Sequence, residues 1–502
     1  MPKHDRRWGR TGFRRRTARP GGQRGVPRQR GGGSTGPGEV RPGPPAPEAA
    51  WPDRMLPLLR TPMSERPRGA GRPTAAEAAP VLELALMVGE LLLAGGEAAE
   101  DVEAAMLAVA RAYQVHPCDP HVTFTRVAIS YRAGPTAPPL TAACSVRRPA
   151  GDYARLAALF RLVTEIAAGG IEVADAHRRV SAVYRRARCY PGWLLLLACG
   201  LMAGAATLLV GGRADERAWL VFASAVVAAL AGDRLARLVV RHDLPEFYRY
   251  VLAATPAALC GILLSFNGLQ LRGSVVITGG LYALLPGWSL VAAAQDGLAG
   301  FYLTATARLL ETLYLTTGVV VGVVTVLYIG VRNGADLAAR DVPACVPNPP
   351  LQLAAAVLLT LAFAICLNTE PVTLPAVLLN STAGWASYGV LAKAGVGPIV
   401  ATGFAACLVG LSGQLMARRL GTSALPYVTA ALGPLLPGSV LYFALWAFVR
   451  RLPETGVRGL GRASAIAMAL AIGVSLGRET ARLFLPAPGA GAPARPRGAH
   501  RR

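Results

Sequence analysis

Two Leu-Leu-Pro-Gly tetrads, at 284–287 and 435–438, stand 151 residues apart, each in the middle of an apolar run. Proline inside a helix removes a backbone hydrogen bond and clashes with the preceding turn. Pro286 and Pro437 therefore predict two broken helices. Bare backbone groups in lipid cost several kcal/mol each unless they line a cavity or meet protein. The amides and carbonyls freed at Pro286-Gly287 and Pro437-Gly438 suit the two ends of a zwitterion, and the hydroxyls of Ser289 and Ser439 lie just beyond, two residues and one residue after the glycines. A single Pro-Gly reads more readily as a kink that helps packing. Two at matching places favour discontinuous helices around a shared cavity.

Charged and amide side chains in or beside apolar segments are the next candidates, because charge in lipid is expensive. Asp296 follows the first Pro-Gly by nine residues, Arg308 and Glu311 lie on the next segment, and Asn380 sits within another. Asp296 and Glu311 are the candidates for carrying a proton. The plain alternative is that Arg308, three residues before Glu311 on one helical face, simply pairs with it. Asn267, Asn368 and Glu370 are further polar breaks, whereas Lys393, Arg478 and Glu479 fall near span ends and read as interfacial.

The whole chain of 502 residues is 53% hydrophobic and only 16% charged, with a mean hydropathy of +0.39. That excludes an ordinary soluble globule, whose charged share is about 25%. The net charge of +23 is concentrated at the start: residues 1–75 hold 17 Lys and Arg against 5 Asp and Glu. This Arg/Gly/Pro-rich stretch is expected to be a disordered arm on anionic lipid, and 486–502 a second disordered basic tail. A soluble chain of this charge would point to nucleic acid, which the apolar runs exclude. The eight cysteines form no CxxC, and His116, Cys118 and His121 have no second cluster to join, so neither a disulfide framework nor a metal site is expected. No Walker-type phosphate loop or other cofactor motif is present.

Residues 76–190 read as a small α+β domain. Apolar residues recur at helical spacing over 81–92, 102–113, 153–167 and 173–183, with Asp152 placed to cap the third helix. The segments 121–132 and 140–148 read as strands after a turn at 116–120. From Trp193 the pattern is apolar all round. Ten candidate spans fall near 193–210, 218–232, 250–266, 274–294, 308–331, 351–367, 372–393, 396–416, 423–449 and 462–484. Applying the 151-residue offset carries the first-half spans onto or near second-half spans. This predicts two five-helix units, 191–335 and 336–485. Because five is odd, tandem units must sit in opposite orientations, the inverted plan of many transporters. The fold class expected is a mainly α, polytopic membrane protein: about ten helices in two inverted repeats behind a soluble α+β domain. Arginines at 178–188, 234–249 and 418–419 place that domain and both termini in the cytoplasm, with Arg450, Arg451, Arg458 and Arg462 opposing.

Several stretches resemble the threonine/serine exporter family: LELALMVGELLLAGGEAAEDVEAAMLAVA (82–110), VTFTRVAISY (122–131), DYARLAALFRLVTEIAAGGIEVADAH (152–177) and LLPGWSLVAAAQDGLAGFYLTATARLLE (284–311). The last resembles a Pro-Gly, Asp, Gly and Arg pattern, met here by Pro286, Gly287, Asp296, Gly300 and Arg308. The resemblance implies export of threonine and serine driven by the proton gradient. It also brings in related two-chain systems linked to dicarboxylates such as succinate, which remain an alternative. A membrane enzyme is disfavoured, since none of the six histidines lies in a span. A sensor or scaffold working through 76–190 needs fewer spans than these. The expected partners are a small polar amino acid, protons and lipid. The sequence leaves monomer and oligomer equally open.

Overall fold

In the computed structural model, the described residues are 51–60, 73–134, 137–146, 151–211, 218–242, 244–266, 273–333 and 349–484. Most of the arm and tail expected at 1–75 and 486–502, and Asn267, lie outside them. One part of the arm is described and departs from the expectation. Helix α1 (Trp51–Arg60) packs on the soluble domain, with Leu56 buried and Met55, Leu58 and Leu59 half buried. This apolar set gives a short amphipathic face inside an otherwise Arg- and Pro-rich stretch.

Helix α2 (Ala75–Ala94) starts at a capping box in which Thr74 and Glu77 satisfy each other's backbone amides. Helix α3 (Ala99–Ala112) follows the Gly95-Gly96 turn. Three strands, β1 (Cys118–Val122), β2 (Arg126–Tyr131) and β3 (Leu140–Ser145), then form an antiparallel meander, with Cys118 opposite Tyr131 and Tyr131 opposite Leu140. The run read as one strand over 121–132 is thus two, folded at Thr123, whose amide bonds the carbonyl of Arg126 (2.8 Å). Pro120 is tolerated because β1 is an edge strand. Helix α4 (Tyr153–Ala167) is capped by Asp152, as expected, and α5 (Val173–Tyr184) completes the domain.

Twelve helices make up the apolar part. The first half holds α6 (Gly192–Gly211), α7 (Ala218–Arg241), α8 (Glu246–Phe266), α9 (Gly273–Gly280), α10 (Gly287–Leu298) and α11 (Tyr302–Arg332). The second holds α12 (Pro349–Cys366), α13 (Leu374–Lys393), α14 (Pro398–Leu420), α15 (Leu425–Ala431), α16 (Gly438–Val449) and α17 (Pro453–Phe484). Among the described residues, seven single helices are long and apolar enough to span a membrane. Two bent pairs, α9–α10 and α15–α16, bring the number to nine. The tenth expected span, α13, is a helix of 20 residues that Asn380, Ser381, Thr382 and Ser387 make too polar to qualify by that measure.

The 151-residue offset governs the later elements. It carries the bounds of α10 onto α16, and a one-turn helix at Tyr282–Leu284 onto another at Gly433–Leu435. It also carries α11 onto α17 to within one residue. Gly322 and Gly473, also related by the offset, press α11 onto the Val251 carbonyl of α8 and α17 onto the Gly403 carbonyl of α14, where any side chain would meet backbone. The halves exchange arms. Leu290 and Val291 of α10 pack with Ala405, Val409 and Leu470 of the second half. Tyr442, Leu445 and Trp446 of α16 pack with Ala254, Ile277 and Val319 of the first.

The soluble domain rests on particular helix ends. Phe301 before α11, Leu367 after α12 and Leu425 at the start of α15 pack against its core. Ahead of α6, Cys189 donates its N–H to Oδ1 of Asn368 (2.9 Å) and the Tyr190 hydroxyl donates to the Thr369 carbonyl (2.8 Å). Arg478, late in α17, pairs with Asp101 (3.1 Å) and Glu100 (3.2 Å). Helices α6 and α11 therefore begin at the soluble domain, whereas α12 and α17 end there.

Candidate functional site

The two Pro-Gly breaks meet. Pro286 and Pro437 each precede the first residue of a helix, α10 and α16; the chain bends by 51° between 273–284 and 287–298, and by 47° between 425–431 and 433–448. A Cβ on Gly287 would stand 3.1 Å from Cβ of Leu436 and 3.2 Å from the amide nitrogen of Gly438. One on Gly438 would stand 2.9 Å from Cβ of Leu285. Only glycine fits either place without displacing the opposite break. Just before the breaks, the Tyr282 hydroxyl donates to the Gly433 carbonyl at 2.5 Å.

The consequence is electrostatic. The first amides of a helix lack intrahelical partners, and its N-terminus carries about half a positive charge. Two such termini converge where Gly287 and Gly438 touch, so the place favours an anionic group. Ser289 and Ser439 stand half buried on the first turns of α10 and α16. On the arms leading into the breaks lie Thr278 and Thr429, also 151 residues apart and both 1% exposed. Sequence reading missed these threonines, although carrying Thr278 forward by the same offset lands on Thr429.

Asp296 lies at the far end of α10, nine residues beyond Gly287 and so roughly 13 Å along the axis. Its carboxylate pairs with Nε of Arg308 at 2.9 Å, and both side chains are buried. Arg308 meets Asp296 because α10 folds back on α11 and presents the carboxylate to the guanidinium. Glu311 is half buried and within electrostatic range of Tyr250 on α8. The second half has no such pair: the offset maps Asp296 to Ala447 and Arg308 to Gly459, and Gly459 packs against Ala444.

Asn380 is buried and its amide is occupied by protein. Nδ2 donates to the carbonyls of Val409 and Tyr427 (3.1 Å each), and Oδ1 accepts from Ser412 (2.5 Å). It ties α13, α14 and α15 together at the arm leading to the second break. A cavity of about 280 Å³ opens between α11 and α16, lined by Thr317, Val320, Val324 and Leu445.

Two models of the threonine/serine exporter family match this chain, one over residues 83–330 and the other over 352–478, with the gap between α11 and α12. The chain is 35% identical over 409 residues to the "Probable threonine/serine exporter" of Mycobacterium tuberculosis, covering 79% of this chain and 75% of that one. This chain belongs to the threonine/serine exporter family. It is also 29% identical over 414 residues to the "Threonine/serine exporter" of Corynebacterium glutamicum, covering 81% and 83% of the two chains. No solved structure matches it. Membership makes it a multi-pass membrane protein of a transport family, with the first break and the Asp296–Arg308 pair inside the first matched segment and Asn380 and the second break inside the other.

Proposed function

We propose that this protein is a secondary exporter of threonine and serine, coupled to the proton gradient, whose substrate binds where the two helix breaks meet. The observation that carries this reading is the contact of Gly287 with Gly438. The convergent N-termini of α10 and α16 receive the substrate carboxylate, and carbonyls at the ends of α9 and α15 receive its ammonium group. The hydroxyls of Ser289 and Ser439 meet the side-chain hydroxyl that distinguishes threonine and serine from alanine or valine.

Two five-helix units in opposite orientation, related by an axis near Tyr282 and Gly433, give alternating access by rocking about this point. The helix ends that meet the soluble domain support this arrangement. With that domain and both termini in the cytoplasm, the arginines of α7 and those at the end of α14 also lie inside. In this scheme Asp296 carries the coupling proton. Paired with Arg308 it is ionised; when α10 moves with the substrate the pair opens and the carboxylate takes up a proton.

The test is flux in proteoliposomes with an imposed pH gradient and radiolabelled threonine, serine and succinate in parallel. Gradient-driven threonine or serine flux supports the reading. Flux of succinate alone overturns the substrate and favours two carboxylates on the two helix termini. No flux of any of the three overturns the exporter reading for these substrates.

A further inference from the structure

Glu97 is a buried carboxyl outside the transport site. It lies between α2 and α3 of the soluble domain, is 7% exposed, and accepts a hydrogen bond from the hydroxyl of Ser423 in the loop between α14 and α15. Ser423 in turn accepts the amide of Leu425 at 3.1 Å, at the first residue of α15. The groups facing Glu97 come from four elements. Glu100 and Asp101 stand on α3. Arg478 on α17 is already shared by those two carboxylates, at 3.2 and 3.1 Å. Tyr153 of α4 has its phenol directed to Thr429 of α15. Three carboxylates thus crowd one guanidinium, and the most buried of them has a hydroxyl as its nearest partner. Both Glu97 and Tyr153 grip α15, the arm that leads into the second break.

We infer that Glu97 is a proton-sensing latch: protonated, it fastens the soluble domain onto the Ser423 loop and immobilises α15; ionised, it releases that arm to move. This rests on the exporter reading above and adds an acid-closed inner gate to it. Removing a carboxylate from water disfavours its charge. Here burial pushes Glu97 up from 4.5 to about 7, with Asp101 adding and Ser423 and Arg478 opposing. The sign follows. A carboxyl whose value is raised by docking contributes docking stability that is fully present below 4.5 and is lost as pH rises through about 7. A cytoplasm that acidifies as protons enter would close the gate.

The test is amide hydrogen exchange by mass spectrometry on the full-length protein in nanodiscs, comparing wild type with Glu97→Gln at each pH from 5 to 8, so that the intrinsic pH dependence of exchange cancels. At pH 5 the two should protect residues 421–425 alike. By pH 8 the wild type should have lost protection relative to Glu97→Gln by tenfold or more, since one proton shifts the docked fraction by up to about tenfold per pH unit. A ratio that stays flat from pH 5 to 8 overturns the latch. Should Glu97→Gln not insert, wild-type protection at 421–425 relative to β2 gives the same readout, and a pH-independent ratio overturns it equally. Exchange needs no substrate, so absent flux with a pH-dependent ratio would sink the exporter reading and leave the latch standing.

Discussion

Tyr282 donates its hydroxyl to the carbonyl of Gly433, the residue 151 positions on that occupies the same place in the second half. Under the proposed two-fold relation of the halves, a hydrogen bond between equivalent positions lies close to the axis. The Gly287–Gly438 contact, five residues further along each chain segment, lies beside it. The axis and the proposed binding point therefore coincide.

Enlarging either glycine should be severe. Gly438→Val places carbon against Leu285, where even a Cβ stands at 2.9 Å. Overpacking of this kind costs about 1–3 kcal/mol. The expected outcome is a melting temperature several degrees lower, with threonine flux abolished. By contrast, Pro286→Ala and Pro437→Ala should insert normally yet lose most flux, because the helices can then straighten. Normal flux in both alanine variants would refute the broken-helix site.

Asp296→Asn leaves Arg308 buried without its countercharge, a change that costs about 3–5 kcal/mol. Asp296→Leu combined with Arg308→Met removes both charges and should recover the fold but not the proton coupling. Thermal melting and gradient-driven uptake, measured side by side, separate the two effects. Glu311→Gln is the control. If it, rather than Asp296→Asn, erases dependence on the gradient, the proton travels by Glu311.

Asn380→Ala should act on stability rather than on substrate choice. It removes three hydrogen bonds, at about 0.5–1.5 kcal/mol each, while the Ser412 hydroxyl keeps the Leu408 carbonyl at 2.6 Å. Melting should fall while the ratio of threonine to serine flux stays unchanged. A shifted ratio would put Asn380 in contact with substrate.

Docking of the soluble domain depends on Asn368, whose backbone has φ of +53° and whose amide donates to Asp152 at 2.7 Å and accepts from Cys189. Asn368→Gly keeps the backbone conformation and removes both bonds. Limited proteolysis should then cut near 186–190 several times faster than in wild type. An unchanged rate would mean that the remaining contacts, among them the Glu370 pairs with Arg161 and Arg186, suffice to hold the domain.

What the sequence disclosed was local or periodic. Pro286 and Pro437 announce their breaks because proline breaks a helix wherever it stands. The apolar runs locate the spans, and one repeated tetrad fixes the offset that the bounds of α10 and α16 obey. What it hid was choice among partners. Arg308 has Glu311 one turn away, yet takes Asp296 because α10 packs against α11, and no local rule ranks those two. Ser423 is 326 residues from Glu97, so their contact has no sequence signature. β1 was hidden by Pro120, which is permitted only because the strand lies at the sheet edge, whereas α13 was legible as the apolar run 372–393.

The exchange of arms also bears on synthesis. The apolar cluster around Val319 and Val323 is completed by Tyr442, Leu445 and Trp446 of α16. Tyr442 is translated 110 residues after Arg332 closes α11, on the order of 10 s at bacterial elongation rates. Through that interval α6 to α11 lack the side chains that complete this cluster.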